Sequence, residues 1–269
     1  MASGTRRPAP RLGVVLDQVT ATRYVTPLKE GGSLPGIVEA DDLGTYVLKF
    51  RGAGQGPKVL VAEVIVGELA RALGLNVPRL AVVDLQSPIA KYEADEEVQD
   101  LLTASIGPNL GIDFLPGSFG YDGSRPPTPD TAADILWLDA LTANVDRTWN
   151  NPNLLVWHRN PWLIDHGAAL YFHHSWPSRG ADAERFAAQP YDASTHVLRD
   201  VGSSPGAAHE RHAHTLSRDL LTDVVEGVPE VWLEPAPGLD TPAALRTAYV
   251  EHLLARVARP QAWLPGDVS

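Results

Sequence analysis

Between Asn144 and Gly167 the chain reads NVDRTWNNPNLLVWHRNPWLIDHG, and no other stretch limits its possible folds so much. Asn151 follows Asp146 by five positions, and Asn153 comes two later. Two short runs of strand formers come next, Leu154–Trp157 and Trp162–Ile164, with His158–Pro161 as the turn between them. Asp165 then opens the segment Asp-His-Gly. A hairpin in that place folds the chain back, so the second Asp returns beside the first. A single Asp in a loop is usually a turn residue, and the ordered set is what carries information. Phosphoryl transfer accounts for these residue types together. One carboxylate orients a hydroxyl and accepts its proton, while an amide oxygen and a second carboxylate hold Mg²⁺ against phosphates. On this reading Asp146 is the base and Asn151 and Asp165 are metal ligands, with Asn153 competing for the amide place.

The chain upstream supplies strands and glycine loops. Thr45–Phe50 is rich in β-formers, with Tyr46, Leu48 and Phe50 on one apolar face and Lys49 on the other. Before it, Leu28–Ala40 reads as strand, loop and strand, the loop carrying Gly31, Gly32 and Gly36. Asp41–Gly44 is a turn, and Gly13–Leu16 is read as a short strand. Gly52, Gly54 and Gly56 form a second loop. Either loop could present backbone N–H groups to phosphate, although glycine clusters alone more often mark turns. Val59–Leu75 has apolar residues at helical spacing and ends at Gly74, and Val77–Leu85 reads as another strand. Residues 91–104 suggest a charged helix, and Gly111–Gly117 a short apolar segment between loops. Residues 118–130, SFGYDGSRPPTPD, read as a linker or surface loop. Thr131–Ala143 follows as a helix with Thr131 as its cap, and Ala207–Glu226 and Pro242–Ala258 are the main helices after it.

NVDRTWNNPNLLVW and WLIDHG resemble the catalytic loop and metal-binding segment of the HipA-like kinase family. More distantly they are similar to the phosphatidylinositol 3- and 4-kinase signature. EGGSLPGIVEADDLGTYVLKFRGAGQG and AEVIVGELARALGLNVPRL resemble the same family's first lobe. The resemblance covers roughly residues 25–175. It implies an α+β, two-lobed, protein-kinase-like fold with a β-rich N-lobe and a mainly helical C-lobe. The divisions are a mobile N-terminus (1–10), a nucleotide-binding N-lobe (11–117), the linker (118–130) and a C-lobe (131–269) carrying the catalytic loop. It further implies ATP and Mg²⁺ as cofactors, and a hydroxyl acceptor on a protein Ser/Thr or a small molecule. Lys49 would contact the ATP phosphates and Glu63, preferred over Glu68, would pair with it. The backbone around Asp113 and Leu115 would run as the hinge that binds adenine. Three departures put the acceptor in question. Asp165-His166-Gly167 stands for the Asp-Phe-Gly of ordinary protein kinases, Thr148 stands where HipA-like toxins place a His, and there is no room for their extra N-terminal β-domain.

Composition narrows the alternatives. A formal net charge of −11 with no basic block beyond Arg6, Arg7 and Arg11 argues against a nucleic-acid partner. The absence of cysteine excludes disulfides, thiolate metal sites and thiol catalysis. The start, MASGTRRPAPRLGVVLD, lacks the apolar core of an export signal, which points to the cytoplasm. No run of about 18 apolar residues predicts a membrane span. A Walker motif, a Rossmann fingerprint and a nucleophile elbow are all missing. Trp137, Trp149, Trp157 and Trp162 are expected in the core or on a cleft wall. Two other readings stand beside the kinase: a nucleotide- or partner-binding pseudokinase, and a metal-dependent hydrolase built on Asp165, His166 and His173.

Overall fold

The computed structural model describes residues 14–28, 35–54, 56–90 and 95–266. The expectations for residues 1–10, and for Gly31 and Gly32, lie outside them. The turn Asp41–Gly44 forms as its residue types dictate. Asp42 Oδ1 accepts the Gly44 N–H at 2.9 Å, and Leu43 takes a left-handed φ of 65°. It joins β2 (Gly36–Ala40) to β3 (Thr45–Lys49) with Glu39 opposite Thr45. Alternation then buries Val38, Tyr46 and Leu48 on one face and leaves Lys49 on the other.

α1 (Lys58–Ala72) lies against the strands, and beyond it come β4 (Leu80–Leu85), α2 (Ser87–Ala90), α3 (Glu96–Ala104) and β5 (Gly107–Asp113). β5 pairs with both β3 and β4, while β1 (Asp17–Pro27) pairs with β2 and runs parallel to β4. The expected β-rich half is therefore a closed five-stranded barrel, ordered β1-β2-β3-β5-β4. Val19, Val38, Tyr46, Leu48, Ala81 and Val83 share one cluster with Val98 and Leu102 of α3. There is no room for a side chain at position 111: a Cβ there would lie 2.4 Å from Val83 Cγ2.

From residue 129 the chain is mainly helical. α4 (Pro129–Thr142) is buried from Ala132 to Thr142 apart from Asp134, as befits a helix surrounded by others. Before it, β6 (Phe119–Gly120) pairs with β7 (Leu154–Trp157), which pairs with β8 (Asn160–Leu163). α5 (Trp176–Arg179), α6 (Ala183–Ala187), α7 (Pro205–His212), α8 (Arg218–Glu226), α9 (Pro242–Val257) and α10 (Pro260–Trp263) complete the helices. No helix among the described residues is long and apolar enough to cross a membrane.

Several boundaries differ from the sequence reading. Residues 14–16 are not a strand, and β1 begins at Asp17. Gly111–Asp113 is the end of β5 rather than part of a separate apolar segment between loops, and the stretch 118–130 contains β6. Thr128, not Thr131, caps α4: its Oγ1 accepts the Thr131 N–H at 3.2 Å. The single helix expected over Ala207–Glu226 is two, because Ser217 caps a new one at 3.2 Å from the Leu220 N–H. The charged helix over 91–104 is described only from Asp95, whose side chain caps α3.

Candidate active site

The site is built where the barrel meets the helices. α4 ends at Ala143 in a left-handed conformation, and Asn144 N–H bonds back to Asp139. That releases Val145 and Asp146 into a tight loop, closed by bonds between Thr148 and Asn151 of 3.0 and 3.1 Å. Asp146 Oδ2 accepts from Asn151 Nδ2 at 2.7 Å and from Asn153 Nδ2 at 3.3 Å. Both amides therefore fix the same carboxylate oxygen, and their own Oδ1 atoms accept no hydrogen bond from any described residue.

The hairpin forms with a shorter turn than its sequence suggests. His158 and Arg159 both have positive φ (48° and 67°), the type I′ geometry that matches strand twist, and Trp157 pairs with Asn160. Leu154 sits opposite Leu163, and Ile164 N–H donates to Asn153 O at 3.1 Å. Asp165, at φ 55°, then turns its carboxylate to the barrel. Its Oδ1 lies 2.6 Å from Lys49 Nζ, across 116 residues of sequence. Lys49 also donates to Glu63 of α1. A Cβ on Gly167 would lie 2.5 Å from Val59 Cγ1 and 3.3 Å from Glu63 Oε1, so only glycine lets α1 approach this closely.

Electrostatics separates the two carboxylates on Lys49. Burial raises the pKa of Glu63 and the charge of Asp165 adds to this, although Lys49 opposes it. Burial also acts on Asp165, but Lys49 outweighs it and holds the carboxyl below its usual range. The Asp165 side chain is 47% exposed and that of Glu63 1%, so Asp165 alone can face a ligand. Burial disfavours the Lys49 charge, yet Glu63 and then Asp165 prevail and raise its pKa.

A second cluster supports the loop from behind. Arg147 Nε donates to Asp139 Oδ2 at 2.6 Å, both side chains being wholly buried. His196 Nε2 lies 3.0 Å from the same oxygen, and Asn144 Nδ2 donates to Asp139 Oδ1 at 2.9 Å. Arg147 also donates to the Asn153 carbonyl. Burial would raise the Asp139 pKa, but Arg147 and His196 hold it well below the carboxylate range. His166 packs behind Arg147 at 3.5 Å; burial first, then that guanidinium, lowers its pKa to about 3 and keeps the ring neutral. Reasoning from sequence does not single out Asp139, His196 or Asn144. The one available signal is an acid inside the apolar run ILWLDALT.

The remaining sequence candidates divide. Gly54 and Gly56 have open space around them and precede the uncapped start of α1. Gly52 is a packing glycine, donating to Ser105 Oγ and crowded by the Ala104 carbonyl, and Gly36 is crowded by Tyr24 and Phe50. Asp113 N–H is taken by Arg79 O at 2.8 Å, and Asp113 lies three positions along β5 from Leu110, which faces Lys49. Leu115 is buried and its carbonyl accepts from Ser118. Trp149, expected in the core or on a wall, is 57% exposed and stacks on Tyr121 at 6.1 Å. The hydrolase triad does not assemble. His166 turns to Arg147 and His173 bonds Tyr249 at 2.9 Å, and no three His, Cys, Asp or Glu among the described residues are placed to hold a metal.

A scan against protein families matches residues 22–265 to the HipA-like kinases. The chain belongs to the HipA-like kinase family. In fold this chain is similar to the proinflammatory kinase CtkA of Helicobacter pylori, with a TM-score of 0.51 and 10% identity over 91% of this chain and 98% of that one. A Golgi casein kinase with Mn and ADP bound gives a TM-score of 0.48 and 12% identity, over 91% of this chain and 75% of that one. At its identity, the CtkA likeness speaks for the fold alone. A search of curated proteins gives no significant sequence match.

Proposed function

We propose that this HipA-like kinase transfers the γ-phosphoryl group of ATP, with Mg²⁺, to a hydroxyl group, of a protein Ser/Thr or a small molecule. The observation that carries this reading is Lys49, held between Glu63 of α1 and Asp165 after the hairpin. In these terms the barrel, within 11–117, is the nucleotide-binding lobe, 118–130 connects, and 131–269 is the lobe that holds the catalytic loop.

The donor set fits the ion. The half-exposed Asp165 carboxylate and the unengaged amide oxygens of Asn151 or Asn153 are hard oxygen ligands of the kind Mg²⁺ takes. When bound, the metal neutralises charge on the phosphates being transferred. Lys49 would meet those phosphates as a fixed cation, kept in place by Glu63. Gly54 would offer its backbone N–H beside the start of α1, whereas that of Gly56 is taken by Ala53 O at 2.8 Å, and the chain at Asp113–Leu115 would border the adenine. Asp146 has Oδ2 fixed by two amides, so Oδ1 remains to orient the acceptor hydroxyl and take its proton.

The test is turnover. Purified protein with ATP and Mg²⁺ should release ADP and label a hydroxyl acceptor from a panel of proteins and small alcohols. Asp146→Ala should lower this by about 10²–10⁴-fold without moving the melting temperature. Nucleotide binding without turnover would indicate the pseudokinase, and a wild-type protein that neither binds nor turns over ATP ends the enzymatic reading.

A further inference from the structure

Beyond α6 the chain crosses back over the loop that carries Asp146, and it is tied down at both ends. At the near end, the buried Arg256 of α9 donates to Phe186 O at 2.6 Å and to Gln189 O at 2.9 Å. The same guanidinium donates to Ala140 O of α4 at 2.8 Å. At the far end, His196 Nε2 lies 3.0 Å from Asp139 Oδ2, and Val197 N–H donates to Arg147 O at 3.1 Å. His196 also pairs with Thr148 in an isolated β-bridge. Residues 186–197 are thereby a strap fixed to α4 and to the catalytic loop.

Tyr191 sits between the two anchors. Its Oη donates to Asn144 O at 2.7 Å, across 47 residues of sequence. Asn144 is fully buried, and its carbonyl receives no other hydrogen bond from any described residue. Burial foremost, then the charge of Asp139, raises the Tyr191 pKa, so the phenol keeps its proton and remains a donor.

The Asn144 carbonyl belongs to the rigid peptide plane that leads into Val145, so turning it swings Val145 and then Asp146. Packing does little to resist this, because Val145 is 61% exposed. Three polar contacts hold the backbone instead. Tyr191 Oη binds Asn144 O, Asn144 Oδ1 accepts the Asp146 N–H at 3.2 Å, and Asp146 O accepts the Thr148 N–H at 3.0 Å. Of the three, only the Tyr191 bond comes from outside the loop. Without that hydroxyl a buried carbonyl is left unpaired, and the peptide gains by turning toward another donor.

We infer that Tyr191 is a positioning residue for phosphotransfer. Through the Asn144 carbonyl it keeps the Asp146 carboxylate where the acceptor hydroxyl gives up its proton. The inference rests on the reading of Asp146 as the base. Tyr191 acts through the loop and not on the reacting atoms. A displacement of about 1 Å in a catalytic group can cost on the order of 10²-fold in rate, so a small turn of this peptide matters.

Tyr191→Phe keeps the ring and removes only the hydroxyl. Two readouts on the full chain test it. By hydrogen exchange with mass spectrometry, peptides covering 144–151 should exchange about tenfold faster, while those of α9 are unchanged. This arm needs no turnover, and unchanged exchange in the loop overturns the inference whatever the activity. In the second arm kcat should fall by about tenfold or more, with the KM for ATP within about twofold of wild type. Placed on Asp146→Ala, the same substitution should cost nothing further, because the group it positions is gone. Faster loop exchange with undiminished kcat, or an equal further loss on Asp146→Ala, makes Tyr191 a structural support only and overturns the inference. A wild-type protein that does not turn over ATP removes the reading of Asp146, and this inference with it, even where loop exchange responds as expected.

Discussion

Asp139 and Arg147 make a neutral pair with both side chains fully buried, whereas Lys49 faces two carboxylates, one of them 47% exposed. Both clusters flank the loop that carries Asp146, yet their use of charge is opposite. In the first, His196, Asn144 and the Asn153 carbonyl occupy the remaining positions, and nothing reaches solvent. In the second, Asp165 is left with negative charge facing outward. A closed cluster of this kind fixes backbone, and an open one with surplus charge is fitted to receive a cationic ligand.

Four measurements can break or sharpen this contrast. Arg147→Met strands the Asp139 charge in the core and should cost about 3–5 kcal/mol in denaturant unfolding. Adding Asp139→Asn should restore more than half of that, and a single-variant loss below about 1 kcal/mol would remove the scaffold role. Lys49→Met should cost less, about 1.5–3 kcal/mol, because Glu63 already inclines to take up a proton and can do so. Turnover should vanish with it.

The third measurement is pH. His173 and His252 are kept neutral mainly by burial, so their folded pKa values lie below the ordinary one. The unfolded chain binds protons that these rings refuse, so stability falls as pH drops below about 6.5, by up to about 1.4 kcal/mol per pH unit for each ring that stays neutral. Asp139, depressed in the folded state, adds to the loss only below about pH 4. Melting temperatures from pH 8 downward would show the slope, and His173→Gln should flatten its upper part. Smallest of all is the stability effect of Asp165→Asn, within about 0.5 kcal/mol, since the lost attraction to Lys49 is partly offset by relief of repulsion with Glu63. Turnover should still fall by at least about 10²-fold, and a variant that keeps its activity would end the assignment of Asp165.

Local patterns explain how much of this is legible in the sequence. Lys49 lies opposite an apolar face on a strand, and Asp165 follows a hairpin whose residues are neighbours in the chain. Of the two acids on α1, Glu63 is buried against Lys49, while Glu68 pairs with Arg71 along its own helix. β1 is hard to see because only Val19 and Ala21 of its eleven residues are buried, which leaves no alternating stripe. The Asp139 cluster is hidden for a different reason. Its partner His196 lies 57 residues away, and no spacing rule links them.

The closed barrel has a consequence for recruitment. Every one of its strands has a neighbour on both sides, so it offers no free row of backbone groups for another polypeptide to continue. In the small sheet, the outer margin of β8 is taken by Asn76, which accepts from Leu163 N–H and donates to Pro161 O. Lengthening either sheet with a foreign segment is thereby blocked at those margins. On the proposed reading, a protein acceptor has side chains to grip around Asp146, where Val145 and Trp149 stand in solvent.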